Sequence, residues 1–354
     1  MNYEKVEILG KYFVYIGKDL ISNLAQIVEL VKCSKIFLIT DDTLESIFAE
    51  DFAKINNLQK IIISSGEKAK NIDSLQEIWK QLLEKGADRK SLVINLGGGA
   101  VLDMGGFAAA TFMRGISFIH IPTTLLSQVD ASVGGKLAID FAGVKNLIGS
   151  FNQPLAVIVD INTLKSLPER EFISGFGEIL KHGLIADKDY FQRVSQKDIK
   201  NLSDGELVKI IEDSVKIKSE IINSDEKELG NRKLLNFGHT IGHAIESVSL
   251  ETDNSLLHGE AVVLGMVAEG KISREKGYIT EEELQKIANS FKKIGLLTSY
   301  KILDLQKVIE FINKDKKTEG GIVKWTLLKS IGEGVIDQSV SERELLIALN
   351  FLKP

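Results

Sequence analysis

The alternation of strand-like and helix-like segments constrains the fold of this chain most. Tyr12–Ile16, Lys35–Thr40, Lys60–Ser64, Ser91–Leu96, Ile116–Ile121 and Ala156–Asp160 are short runs rich in β-branched residues. Between several of them lie amphipathic stretches of helix length, such as Ile72–Glu84 and Ala100–Phe112. That order predicts βαβ units and a mostly parallel sheet. From about Pro168 the pattern changes, and Glu206–Ile222, Gly259–Lys276 and Glu281–Ile294 repeat apolar residues at helical spacing. The expectation is an α/β, Rossmann-like N-terminal domain over residues 1–168 and an all-α C-terminal domain over residues 169–354. A length of 354 residues fits two such domains. Motifs fall on both sides of the junction, so an interdomain cleft is the expected place for an active site.

Composition excludes several classes of function. Net charge is −5, and basic residues form no block interleaved with aromatics, which argues against nucleic-acid binding and against a membrane surface. No apolar run reaches the ~18 residues a membrane span needs, and Met1–Gly10 lacks a signal-peptide core. Cys33 is the single cysteine, so no intrachain disulfide forms, as suits a reducing cytoplasm.

Histidine placement points to a metal. The chain has five histidines, and His239, His243 and His258 fall within twenty residues. His239 and His243 are four apart and share a face on a helix. Gly238 and Gly242 have the same spacing and leave little side-chain bulk beside the imidazoles. Glu178, in Gly177-Glu178-Ile-Leu-Lys181-His182, offers a carboxylate from a second predicted helix. Imidazoles with one carboxylate suit a catalytic Zn²⁺ that has three protein ligands and an open position. The bland alternative is a pair of helix-packing histidines.

Glycines and strand ends point to a nucleotide. Leu96-Gly97-Gly98-Gly99-Ala-Val-Leu-Asp103 lies where a strand gives way to a helix. Glycines there let a ligand approach the backbone, and the helix N-terminus favours phosphate. Leu102 holds the third position of the common GxGxxG pattern, so alone the segment also reads as a tight turn. Other predicted strand ends add to it: Asp41-Asp42, Ser65-Gly66-Glu67-Lys68-Ala-Lys70 and Pro122-Thr123-Thr124. Ligands of open α/β sheets bind at such ends, and Asp41-Asp42 is a candidate to hold ribose hydroxyls. Further on, Asp130-Ala-Ser-Val-Gly134-Gly135-Lys136 and Lys145-Asn146 combine exposed backbone N–H groups with positive charge, which suits a phosphate. A solvated Gly-Gly hairpin is the alternative. Further cations are Lys181, Lys218, Arg232 and Lys316-Lys317. Arg232, Asn236, His239 and His243 line one stripe if a helix begins before Gly238.

These segments together resemble the 3-dehydroquinate synthase family. The match runs over most of the chain: Gly97-Gly-Gly-Ala-Val-Leu-Asp103, Phe112-Met-Arg114-Gly, Pro122-Thr-Thr through Lys136, Lys145-Asn146, Gly177-Glu178-Ile-Leu-Lys181, Arg232 through Glu246, Leu257-His258-Gly-Glu-Ala and Asp315-Lys316-Lys317. The resemblance implies an NAD-binding α/β domain, an α-helical metal- and substrate-binding domain, a homodimer and a small-molecule substrate, 3-deoxy-D-arabino-heptulosonate 7-phosphate. It implies transient oxidation at C5, phosphate elimination, return of the hydride, ring opening and intramolecular aldol closure. The substrate's own phosphate can serve as base.

The resemblance also implies roles. Glu178, His239 and His258 ligate a divalent metal, Zn²⁺ or in some cases Co²⁺, and His243 serves near the substrate phosphate instead. Lys136, Asn146, Lys316 and Arg114 bind that phosphate, Arg114 from the other subunit, with Lys317 as an alternative to Lys316. Lys218, Arg232 and Asn236 receive the substrate carboxylate or nearby hydroxyls, and Asp130 and Lys181 the ring hydroxyls. Asp41, Ser65, Gly66, Glu67, Lys70, Gly98, Gly99, Asp103, Thr123, Thr124, Lys136, Lys145, Thr163 and Ser166 contact NAD. Thr43 stands where some members have Asn. Two rivals share the fold: a cyclase for a carboxylate-free sugar phosphate, and a net polyol dehydrogenase. A non-catalytic nucleotide-binding protein is a third class.

Overall fold

The computed structural model describes residues 3–29, 31–142, 144–252, 255–302, 304–313, 318–319 and 322–354. Contacts divide the chain into two units: Met1–Leu167 with Leu207–Val215, and Pro168–Glu206 with Lys216–Pro354.

The first unit is built on a seven-stranded sheet. Its strands are β1 (Tyr3–Ile8), β2 (Tyr12–Gly17), β3 (Ile36–Asp41), β4 (Leu58–Ile63), β5 (Leu92–Gly97), β6 (Ser117–Pro122) and β9 (Ala156–Asp160), in the order β1-β2-β9-β6-β5-β3-β4. All pairings are parallel except that of β1 with β2. Period-two alternation sends successive residues to opposite faces. Phe37, Ile39, Val93 and Phe118 pack under helices α1 (Ile72–Glu84) and α2 (Gly99–Thr111). Leu38, Ile94, Ile119 and Ile158 face the opposite layer, with Leu20, Leu24 and Phe52. Every residue of β5 is buried, as expected for a parallel strand covered on both sides. The chain moves outward from β3 to β4 and then crosses to β5. The strand order therefore reverses between β3 and β5, the crevice where such sheets bind ligands.

A separate antiparallel hairpin of this unit pairs β7 (Lys136–Phe141) with β8 (Val144–Phe151). Periodicity does not reveal it, because most of β8 is exposed and alternation has no buried face to report.

The second unit is helical. Its elements include α3 (Glu169–Ala186), part of α4 (Asp204–Ser224), α5 (His239–Ser249), α6 (His258–Glu275), α7 (Glu281–Lys293), α8 (Leu305–Asn313) and α9 (Glu342–Phe351). Helix α6 is the centre: it is buried almost throughout and packs against α3, α5, α7 and α9. The unit is not purely helical. Two short hairpins, β10–β11 (Thr318–Glu319 and Ile322–Val323) and β12–β13 (Trp325–Ser330 and Glu333–Gln338), are added to it. Trp325, Leu327 and Leu328 of β12 are buried, so that hairpin belongs to the core rather than to a loop.

Candidate active-site residues in each unit

In the first unit the strand ends gather around the start of α2. Gly98 is the N-cap residue and has no side-chain cap of its own, which leaves the N–H groups of the first turn facing outward. Thr124 Cγ2 lies 3.2 Å from where a Gly98 Cβ would stand, and Thr123 N donates to Gly97 O at 3.0 Å. Gly98, Gly99, Thr123 and Thr124 therefore share one corner, a ready anion site. Asp41, at the end of β3, neighbours this corner through the pairing of Thr40 with Leu96. Its Oδ1 caps the next helix, accepting from Thr43 N at 3.0 Å and Leu44 N at 2.9 Å. Burial pushes its carboxyl above the usual range.

A second group of nucleotide candidates clusters on Lys70, which is buried. Its Nζ pairs with Asp103 at 2.5 Å, lies 3.9 Å from Glu67 and contacts the Asn146 side chain. Burial raises the Asp103 carboxyl to about 6 against the pull of Lys70. Asn146 N donates to Asp140 at 2.7 Å, which fixes the turn carrying Asn146 at positive φ. Gly66 also sits at positive φ, with open space on its Cβ side; Ser65 just before it is exposed, Lys145 is half-buried and Lys136 is exposed at the start of β7. Thr163 is turned inward: its Oγ1 donates to Asp160 O at 2.8 Å and accepts from Gln128 at 3.0 Å. Ser166 donates to Thr163 O at 3.2 Å. Arg114 is exposed in a run of three left-handed residues, Met113, Arg114 and Gly115. Asp130 is half-buried just before the Gly134-Gly135 turn.

In the second unit α3, α5 and α6 bring the metal candidates together. Glu178 is fully buried, and its Oε1 lies 3.7 Å from Nε2 of both His239 and His258. Oε2 is paired with the ammonium of Lys181, also buried. Among the described residues, Oε1 accepts no hydrogen bond. A buried carboxylate oxygen without a donor is costly, and a cation between it and the two imidazoles satisfies all three. Ligand atoms ~2.1 Å from a tetrahedral ion stand roughly 3.4 Å apart, so the separations fit. The far nitrogens are fixed: His239 Nδ1 donates to Phe237 O and His258 Nδ1 to Glu246, both at 3.2 Å. Both Nε2 lone pairs are thereby directed to the Glu178 side. The His243 ring lies 5.0 Å from His239 and 5.5 Å from His258 between centroids. The three imidazoles alone also form a possible ligand set. What separates the two sets is the donorless Oε1 of Glu178.

The extended stripe through Arg232, Asn236, His239 and His243 does not form. Asn231–Asn236 is a 3₁₀ segment, and α5 starts only at His239. Gly238 has φ +81° and interrupts the helical path there. Arg232 is nonetheless buried, with its guanidinium donating to Glu226 O at 2.5 Å and its N–H to Asp225 at 3.1 Å. Asn236 donates to Glu228 at 2.7 Å. Lys218 is buried on α4. Lys316 and Lys317 lie outside the described residues.

Known proteins match the chain over most of its length. The profile of the 3-dehydroquinate synthase N-terminal family matches residues 60–174, and that of the C-terminal family residues 175–318. The 3-dehydroquinate synthase of Alkaliphilus metalliredigens is 42% identical over 328 residues, covering 91% of each chain. That of Parabacteroides distasonis is 41% identical over 343 residues, covering 96% of this chain and 97% of its own. The chain belongs to the 3-dehydroquinate synthase family.

Solved structures share the fold at lower identity. A 2-deoxy-scyllo-inosose synthase complexed with carbaglucose-6-phosphate, NAD⁺ and Co²⁺ has a TM-score of 0.88 at 23% identity, covering 99% of both chains. A 2-epi-5-epi-valiolone synthase from Streptomyces hygroscopicus, with NAD⁺ and Zn²⁺ bound, has a TM-score of 0.85 at 24% identity, covering 99% of this chain and 98% of its own. A probable glycerol dehydrogenase from Sinorhizobium meliloti is more distant, with a TM-score of 0.67 at 16% identity over 95% of this chain and 94% of its own.

For this member of the family, the structure adds three acidic residues that sequence reading passed over: Glu228, Glu246 and Glu269. Glu246 closes the His-Ala-Ile-Glu motif, which is its only signal; Glu269 lies in an apolar helix and has none. The structure also revises the reason for the glycine spacing. The space beside Gly238 and Gly242 is filled by α6 itself. A Cβ on Gly242 would meet Ala261 O at 2.9 Å, and one on Gly265 would meet Gly238 O at 1.9 Å. Helices α5 and α6 thus touch backbone to backbone, which sets the histidine spacing. Gly265→Ala is expected to lower unfolding stability by on the order of 3 kcal/mol through overpacking, read as the denaturation midpoint. An unchanged midpoint would show that the contact yields freely.

Proposed function

We propose that the chain is a 3-dehydroquinate synthase that converts 3-deoxy-D-arabino-heptulosonate 7-phosphate to 3-dehydroquinate and phosphate. The observation that carries this reading is the buried, donorless Glu178 oxygen facing two fixed imidazoles in a member of this family. When bound, NAD⁺ would supply reversible hydride transfer at C5, and a divalent ion held by Glu178, His239 and His258 would supply the Lewis acidity that makes the reacting hydroxyl more acidic.

The residues divide the remaining work. The outward N–H groups of α2 at Gly98 and Gly99, with Thr123 and Thr124, receive the dinucleotide pyrophosphate. Asp41 beside them holds ribose hydroxyls with the carboxylate oxygen left over from its cap. The Glu67–Lys70–Asp103 cluster, Lys145 and the segment from Ser65 to Gly66 line the same site, and Thr163 and Ser166 support it from within. Lys136, Asn146, Arg114 and Lys316 (or Lys317) hold the substrate phosphate. Arg232, Lys218 and Asn236 bind its carboxylate end, and Asp130 and Lys181 orient ring hydroxyls. His243 moves the proton near the departing phosphate. Residues 1–168 are thus assigned to NAD, with Lys136, Asn146, Arg114 and Asp130 as their substrate contacts, and residues 169–354 to metal and substrate.

The working form is assigned as a homodimer. Phe141, Val144, Leu147, Ile148 and Phe151 of the β7–β8 hairpin are all exposed, as is Met113 beside Arg114, and a second copy covering them would carry Arg114 to its partner. None of the described helices is long and apolar enough to cross a membrane, and a lone cysteine suits the cytoplasm.

Phosphate release from the heptulosonate phosphate tests the reading. Release is expected to need metal and to stop with chelator, while reduced nicotinamide does not accumulate. About one reduced nicotinamide per turnover would favour the dehydrogenase instead.

A further inference from the structure

Helices α5 and α6 each send a carboxylate to the other at the point where the other carries a metal candidate. Glu246, on α5, is buried and accepts from His258 Nδ1 at 3.2 Å. Glu269, on α6, is fully buried and accepts from Gly238 N at 2.5 Å and Ile241 N at 3.2 Å. Those N–H groups belong to the turn that opens α5, which has no side-chain cap of its own. The turn also contains Phe237, whose carbonyl accepts from His239 Nδ1. Glu269 therefore fixes the backbone that fixes His239, and Glu246 fixes the ring of His258 directly.

The approach to His258 is held as well. Glu260 accepts from Leu257 N at 2.8 Å and from Arg170 at 2.7–2.8 Å, and Ser249 Oγ accepts from Leu256 N at 3.0 Å. Burying two carboxylates in an apolar helix pair is unfavourable unless the geometry they impose is used. Glu269 is well satisfied: it meets two N–H groups at a helix N-terminus, where negative charge is favoured. The pairing is reciprocal, so neither helix can turn about its axis without breaking a bond made by the other.

We propose that Glu246 and Glu269 are positioning residues that preset His258 and His239 for the ion before it binds. The proposal rests on the metal reading above and deepens it. Glutamine keeps the shape of each side chain but removes the charge, and at Glu269 it leaves one N–H facing an amide NH₂ instead of an acceptor.

Zn²⁺ affinity, measured by competition with a chromophoric chelator, is the test, alongside thermal melts of metal-free and metal-loaded protein. Glu246→Gln is expected to weaken Zn²⁺ by about 10- to 100-fold while the metal-free melt stays near wild type. The rise in melting temperature on adding metal shrinks accordingly. Glu269→Gln is expected to weaken Zn²⁺ comparably and to lower the metal-free melt as well. Visible bands of the Co²⁺-loaded variants should shift, reporting altered ligand geometry. If both variants keep wild-type Zn²⁺ affinity and Co²⁺ bands, and only the melts fall, the carboxylates are structural and the proposal is overturned. If Glu269→Gln does not fold, unchanged affinity in Glu246→Gln overturns it alone. Wild-type protein that takes up no Zn²⁺ would overturn the metal reading itself, a separate outcome.

Discussion

His258→Ala is expected to cost the protein its metal and its turnover together. The three proposed donors come from three helices. Glu178 is buried with Oε1 facing the two Nε2 atoms at 3.7 Å. Removing one imidazole leaves two ligands, a poor site for Zn²⁺. The loss should exceed the roughly 10- to 100-fold that outer-shell partners cost. Metal per chain after dialysis and phosphate release should fall in parallel. His243→Ala is the informative partner. If Glu178, His239 and His258 are the ligands, it keeps the metal and loses turnover; if the three imidazoles are, it loses the metal too. Unchanged metal content in His258→Ala would sink the assignment whichever set is meant.

The sheet was legible in the sequence where a segment is buried on both faces or alternates cleanly. Ala156–Asp160 and Ile72–Glu84 are reproduced residue for residue. The hairpins were not. β8 is mostly exposed, so apolar residues such as Leu147 and Ile148 follow no core-facing pattern. Strand β12 lies in a region whose surroundings read as helical, and only tertiary packing shows that Trp325 and Leu327 are core. The metal candidates stood out because histidine is rare in this chain and spacing carries meaning on a helix. Their supports were not, because a lone glutamate such as Glu269 in Ala-Glu-Gly reads as surface. The break at Gly238 also needed structure: a glycine inside a helical motif can be tolerated or can mark a helix end, and here φ +81° decides.

Arg232→Ala separates a synthase for an acid substrate from a cyclase for a neutral sugar phosphate. Arg232 is 1% exposed, so it is not a solvated surface charge. One arm of its guanidinium is bound to Glu226 O, and its backbone is anchored to Asp225, which also accepts from Gly230 N at 2.7 Å. The loop thus fixes where the fork stands before substrate arrives. A planar fork matches a carboxylate with two charge-assisted hydrogen bonds. Lys218, buried in the same unit, adds a point charge, and Asn236 is oriented by Glu228. Arg232→Ala should therefore lower kcat/KM for the heptulosonate phosphate by about 2–4 kcal/mol, or roughly 30- to 1000-fold. Metal content should not change, since Arg232 is not a ligand. The comparison that decides uses sedoheptulose 7-phosphate, which lacks the carboxylate. Wild type should strongly prefer the acid, and the variant should lose most of that preference because its loss falls on the acid alone. Wild-type turnover of sedoheptulose 7-phosphate as fast as of the acid would remove the carboxylate role from Arg232, leaving family membership and the metal site standing.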